Sequence, residues 1–144
     1  MKDEYECLRL ENQLCFPLYA AARKITSLYT PYLKPLGLTY TQYIVFMVLW
    51  ETDGIPVTEL CKKLFLDSGT ITPLLKTLEK NGYVQRKRGT QDERVVNVYL
   101  TKEGKALRDK AKNVPACVGN CVHLSKEDAG DLYRILYEIL NKPE

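Results

Sequence analysis

Along most of this chain apolar residues recur at three- and four-residue steps, the period of helices that bury one face. From Leu8 to Tyr32, the positions Leu10, Leu14, Leu18, Ala22, Ile25, Leu28, Tyr29 and Tyr32 predict one long helix. Pro17 falls inside it, so the helix either starts near that residue or is kinked there. Pro31, Pro35 and Gly37 predict a turn. Thr41 to Glu51 is apolar nearly all round, which predicts a buried helix with Thr41 as its cap. Asp53-Gly54-Ile55-Pro56 reads as a loop, and Thr58 as the cap of a short helix with Leu60, Cys61 and Leu64 inward.

Ser68 precedes a second short helix, whose Ile71, Leu74, Leu75 and Leu78 share one face. Asn81-Gly82 is a fitting C-cap. Two β segments follow, Tyr83–Lys87 and Val95–Leu100, joined by a polar loop from Arg88 to Arg94. Thr101 caps a helix to about Lys112, Val114-Pro115 breaks it, and Ser125 with Asp128 opens a last amphipathic helix through Leu140. Helix, turn, helix, hairpin is the order of a winged helix-turn-helix. The fold class is therefore mainly α (α+β), a single domain over 1–144 with the winged unit at about 41–100 and its wing near 84–100.

Composition narrows the function classes. The longest apolar run, Tyr43 to Trp50, is far short of the roughly 20 residues that span a bilayer. The charged start Met-Lys-Asp-Glu-Tyr-Glu does not read as a secretory signal, so a cytoplasmic protein without membrane contact is expected. A net charge of +3 is too small to diagnose a nucleic-acid binder, so clustering must decide. The odd count of 5 cysteines argues against a permanent disulfide framework.

The charges do cluster. With its apolar residues inward, the helix after Ser68 turns Pro73, Lys76 and Lys80 outward, flanked by Thr70, Thr72 and Thr77. Hydroxyls and lysines so placed suit phosphates and base edges in a major groove. Pro73 costs little if the cap lies at Gly69 or Thr70. The hairpin adds Arg86, Lys87, Arg88 and Arg94, suited to a narrow minor groove, and Asp92 can hold Arg94 extended through a bidentate pair.

The stretch Leu66-Asp67-Ser68-Gly69-Thr70-Ile71-Thr72-Pro73-Leu74-Leu75-Lys76, with Asn81-Gly82-Tyr83-Val84 and Asp92-Glu93-Arg94, closely resembles the MarR-type winged-helix repressors. The resemblance covers essentially the whole chain. It implies a homodimer interlocked through about 1–36 and 101–144, bound to double-stranded DNA at a pseudo-palindromic operator. Ser68, Thr70, Thr72, Pro73, Lys76 and Thr77 would lie on the recognition helix, Arg86 and Arg88 on the wing, with Arg94 the minor-groove reader and Asp92 its orienter.

Within that family, Leu10-Glu11-Asn12-Gln13-Leu14-Cys15-Phe16 and Leu18-Tyr19-Ala20-Ala21-Ala22-Arg23 resemble the organic hydroperoxide resistance regulators. The resemblance implies that Cys15 senses organic hydroperoxides, with Tyr19, Tyr29 and Tyr40 as sensor-site tyrosines. Thiol chemistry agrees. A free thiol is only about 3% thiolate at neutral pH, and a helix start with free N–H groups favours the anion. The resemblance further implies that oxidised Cys15 is resolved either by a second cysteine, Cys117 or Cys121, or by a low-molecular-weight thiol. Cys117-x3-Cys121-x-His123 lacks an evident fourth ligand, so neither a metal nor a cofactor is expected. Cys7 and Cys61 read as structural or incidental. Two competitors stand: a MarR-type repressor binding an aromatic ligand among Tyr19, Tyr29, Tyr40 and Trp50, and a thiol peroxidase. Against the enzyme, the chain lacks a βαβ pattern around a reactive cysteine, and its only histidine is His123.

Overall fold

The computed structural model describes residues 4–144; Met1 to Asp3, the first half of the charged start, lie outside them. The expected long first helix is shorter. Two 3-10 turns, Glu6–Leu8 and Leu10–Asn12, lead into α1 at Cys15–Leu28, and Pro17 sits in its first turn. Proline is tolerated there because first-turn N–H groups have no intrahelical partner. A four-residue α2, Thr30–Leu33, and a 3-10 turn, Lys34–Leu36, follow.

Helix α3 spans Tyr40–Glu51, and its cap is Thr39 rather than Thr41. Gln42 decides between the two threonines. It stands three residues after Thr39, so the two side chains and backbones bond reciprocally as a capping box, at 3.0 and 3.2 Å. Tyr43, Val45, Phe46 and Leu49 are buried, while Met47 reaches the surface. The expected loop at Ile55-Pro56 is a short strand, β1, pairing with Val98 and Asn97. Helix α4, Val57–Leu64, carries no side-chain cap, so Thr58 lies inside it.

Asp67, not Ser68, caps α5 (Ser68–Lys80), accepting from the Thr70 N–H at 2.8 Å. Pro73 is consequently interior, and the Gly69 carbonyl loses its helical partner. Asp67→Ala should cost about 1 kcal/mol in a urea melt, the usual worth of an N-cap, and a change under a few tenths would assign the helix start to another group. Gly82, at φ +82°, ends the helix. Its N–H bonds the Glu79 carbonyl and that of Tyr83 bonds Leu78, the paired bonds of a Schellman turn.

Strands β2 (Val84–Arg88) and β3 (Val96–Leu100) form the wing, and the sheet order is β1-β3-β2, all antiparallel. Thr101 caps α6 (Lys102–Ala111) as expected. The break at Val114-Pro115 instead begins a short helix, α7 (Val114–Gly119), with proline in its first turn. Ser125 caps α8 (Lys126–Asn141) through the Asp128 N–H.

One core joins these pieces: Phe46 and Leu49 of α3, Leu60 of α4, Ile71, Leu75 and Leu78 of α5, Val84 and Val98 of the sheet, Leu107, and Val118 of α7. The Trp50 indole donates to the Gly104 carbonyl at 3.0 Å, and a Cβ on Gly104 would run into the Tyr83 carbonyl oxygen. Helices α1 and α8 contribute no fully buried residue to this core, and only Leu28 at the end of α1 packs against it. Leu14 is 84% exposed and Ile139 56%, with Leu10, Leu18, Leu132, Ile135 and Leu140 also in the open.

Candidate functional site

The winged unit presents a single polar face. Burial of Ile71, Leu75 and Leu78 turns Ser68, Thr70, Pro73, Lys76, Thr77 and Lys80 to solvent, with Thr72 half-buried. A cleft of about 520 Å³ between α5 and the wing brings Thr72, Arg86, Asp92 and Arg94 together with Thr58.

The three wing arginines differ in freedom. Arg86 is 26% exposed and committed to α5: its backbone N–H and guanidinium both donate to the Glu79 carboxylate, at 2.8 and 3.3 Å. Those bonds, the backbone one foremost, hold the Glu79 carboxyl below the usual carboxylate range. Arg88 donates to the Glu93 carbonyl at 2.8 Å and so closes the loop. Arg94 is 92% exposed, yet fixed. Its Nε and terminal nitrogen donate to the two Asp92 oxygens at 3.1 and 3.3 Å, and its backbone N–H bonds Oδ1 at 3.0 Å. The Arg94 side chain and backbone in turn keep the Asp92 carboxyl low. Glu79 went unnoticed in sequence reasoning. Its signal would have been seven residues from Arg86 across a turn, a spacing no local rule flags.

Cys15 is the first residue of α1 and exposed. No side chain caps that helix, and Leu14 occupies the cap position, so its opening N–H groups have no side-chain partner. Tyr19 lies one turn on along the same face, with Arg23 over its ring at 5.5 Å. Tyr29 is elsewhere. Fourteen residues of helix separate it from Cys15, about 21 Å along the axis. It packs instead on Tyr40 at 4.9 Å and Tyr43 at 5.6 Å, beside a cleft of about 390 Å³ that Tyr29 and Tyr40 line. Burial, with Tyr29 alongside, raises the phenols of Tyr40 and Tyr43, which therefore stay protonated as O–H donors. Tyr43 was read from sequence only as core, and its place in this cluster appears only in the fold.

The structure does not gather Tyr19, Tyr29, Tyr40 and Trp50 into one pocket. Trp50 stacks on Phe46 at 5.4 Å, and Tyr19 stands near the opposite end of α1 from Tyr29. Cys117, half-buried, and Cys121, exposed, lie at α7 and just past its end. Among the described residues no three His, Cys, Asp or Glu gather as metal ligands. Cys61 packs beside the core, where burial and then the Asp67 carboxylate push its thiol up, and Cys7 is exposed. No helix among the described residues is long and apolar enough to cross a membrane.

Comparison with known proteins identifies the family. The family described as the transcriptional regulator SarA/Rot matches residues 27–111. The organic hydroperoxide resistance transcriptional regulator of Bacillus subtilis is 41% identical over 140 residues, covering 97% of this chain and 95% of its own. The regulator AbfR of Staphylococcus epidermidis is similar in structure. Its overoxidised, DNA-bound form is 33% identical with a TM-score of 0.76, covering 96% of this chain and 97% of its own. Its disulfide form is 33% identical over the same shares, with a TM-score of 0.65. The chain belongs to the MarR family of winged-helix transcriptional regulators, with the organic hydroperoxide resistance regulators.

Proposed function

We propose that the chain is a cytoplasmic repressor that binds a pseudo-palindromic operator as a homodimer and releases it when an organic hydroperoxide oxidises Cys15. The observation that carries this reading is Cys15 itself, an exposed thiol on the open start of an uncapped helix. The apolar faces of α1 and α8 support the dimer, since contiguous exposed apolar surface of this extent marks an interface. About 21 Å of α1 keeps Tyr29 from Cys15 in one chain, so the tyrosine cluster serves the partner subunit's Cys15. Ser68, Thr70, Thr72, Pro73, Lys76 and Thr77 contact DNA through α5, and Arg94 enters the minor groove. Arg86 braces the wing on α5.

Oxidation proceeds to a sulfenic acid and then to a disulfide with Cys117 or Cys121 of the partner subunit. The AbfR forms support the second step as the signal, since AbfR is described bound to DNA in both its reduced and its overoxidised states, and a disulfide form is described as well. The protein acts by occupying DNA, not as an enzyme. Light scattering at micromolar concentration should give twice the chain mass, and a monomer there would overturn the dimer. Arg94→Ala should weaken operator binding by about 1–3 kcal/mol while Cys15 still oxidises at the wild-type rate. Equal affinity would move the minor-groove contact elsewhere.

A further inference from the structure

Cys117 and Cys121 stand one helical turn apart where α7 gives out. The helix ends at Gly119, Asn120 is its cap, and the Cys121 N–H closes a tightened last turn on the Val118 carbonyl at 2.9 Å. Residues four apart on a helix have Cα atoms about 6 Å apart, within the 4.4–6.8 Å a disulfide spans. The Cys121 sulfur is already folded back on its neighbour, donating to the Cys117 carbonyl at 3.4 Å. Tyr32 of α2, which packs on α7, stands beside it, and the Cys121 sulfur pushes the Tyr32 phenol up. The Cys121 sulfur therefore lies over the turn that carries Cys117, placed to attack a bond formed there.

We propose that this pair is a relay: Cys117 traps the oxidised Cys15 of the opposite chain, then Cys121 attacks Cys117, leaving an intrachain Cys117–Cys121 disulfide and a free Cys15 thiolate. The inference rests on the reading above, that a C-terminal thiol resolves Cys15. The chemistry balances. The hydroperoxide ROOH gives one oxygen to the Cys15 thiolate, and its other oxygen leaves as ROH. The Cys117 thiolate bonds the sulfenic sulfur and expels hydroxide, which leaves as water. The Cys121 thiolate then bonds the Cys117 sulfur and expels the Cys15 thiolate. Two thiols have lost two electrons to ROOH, and Cys15 ends reduced.

Physical chemistry favours that direction. A bond between subunits must drag the α7 segment toward α1, and strained disulfides exchange readily. A bond within one turn needs only a local tightening that brings the Cβ atoms from about 5–6 Å to about 4 Å, and it forms at intramolecular effective concentration. Operator release then becomes self-limiting, because Cys15 is returned to its thiolate.

The full-length dimer, given one equivalent of cumene hydroperoxide without reductant and quenched with an alkylating agent, tests this. On non-reducing gels the wild type should show a covalent dimer that rises and decays. Tryptic mapping should then find the peptide Asn113–Lys126, which holds both cysteines, lighter by two hydrogens, and Cys15 alkylated. In Cys121→Ser the covalent dimer should persist at least about tenfold longer. A wild-type covalent dimer as durable as that of Cys121→Ser overturns the relay and leaves the resolving reading intact. Bridging in Cys15→Ser as fast as in wild type also overturns it, since the pair would then oxidise by itself. No covalent dimer in either the wild type or Cys121→Ser sinks the resolving reading instead.

Discussion

An operator-bound dimer of Cys15→Ser should keep its DNA through a hydroperoxide challenge that strips the wild-type protein away. Serine has no oxidation chemistry of this kind, so nothing enters the tyrosine cluster and no subunit is pulled. Driving binding from 99:1 to 1:99 takes about 5.5 kcal/mol of bias, a swing of roughly ten-thousand-fold, and Cys15→Ser should lose nearly all of it. The double variant Cys117→Ser/Cys121→Ser separates the two steps. It should still oxidise at Cys15, because the thiol and its helix start are untouched. A sulfenic acid adds one oxygen and removes a charge, which loosens hydrogen bonds from tyrosine without moving a helix. A disulfide instead requires its Cα atoms to approach within 4.4–6.8 Å, and contributes several kcal/mol. The double variant should therefore release DNA poorly unless a small thiol is supplied. Fluorescence anisotropy with labelled operator, read soon after the challenge, measures both. If the double variant releases as completely as wild type in thiol-free buffer, sulfenic acid alone is the signal.

Phe46→Ala should be the most destabilising single truncation in the winged unit. The ring is 0% exposed, stacks on Trp50 at 5.4 Å and 24°, and meets Tyr83 edge-on at 5.8 Å and 84°. Truncating a buried Phe costs about 3–5 kcal/mol in lost transfer energy and cavity, against a typical total of about 5–15. Helix α3 packs against α4 and β3, so the loss also loosens the frame that presents α5 and the wing. Guanidinium unfolding at fixed protomer concentration checks the number, because dimer formation adds a concentration-dependent share. A cost below about 1 kcal/mol would mean that neighbouring rings collapse into the space and that Phe46 does not organise the core.

The hydrophobic period by itself determined α3, α4, α5, α6 and α8 and their order, because which face of a helix is apolar is written in residues three and four apart. Ile71, Leu75 and Leu78 turned inward as read, and that placed Lys76, Thr77 and Lys80 outside without further information. The Asp92–Arg94 pair was legible for the same reason, being closed within one loop. Helix starts were legible at Thr101 and Ser125 but not elsewhere: Thr39 and Thr41, or Asp67 and Ser68, are all competent caps, and only the Gln42 and Thr70 partners chose between them. The two-residue strand Ile55-Pro56 carries no period at all, and it exists because β3 offers it a ladder. Contacts across the fold were likewise invisible: Glu79 on Arg86, Tyr43 beside Tyr29, and Tyr32 on Cys121. Each joins residues brought together by packing rather than by helix or loop spacing, and burial, which only the tertiary structure decides, is what turns Tyr40 and Tyr43 into lasting donors.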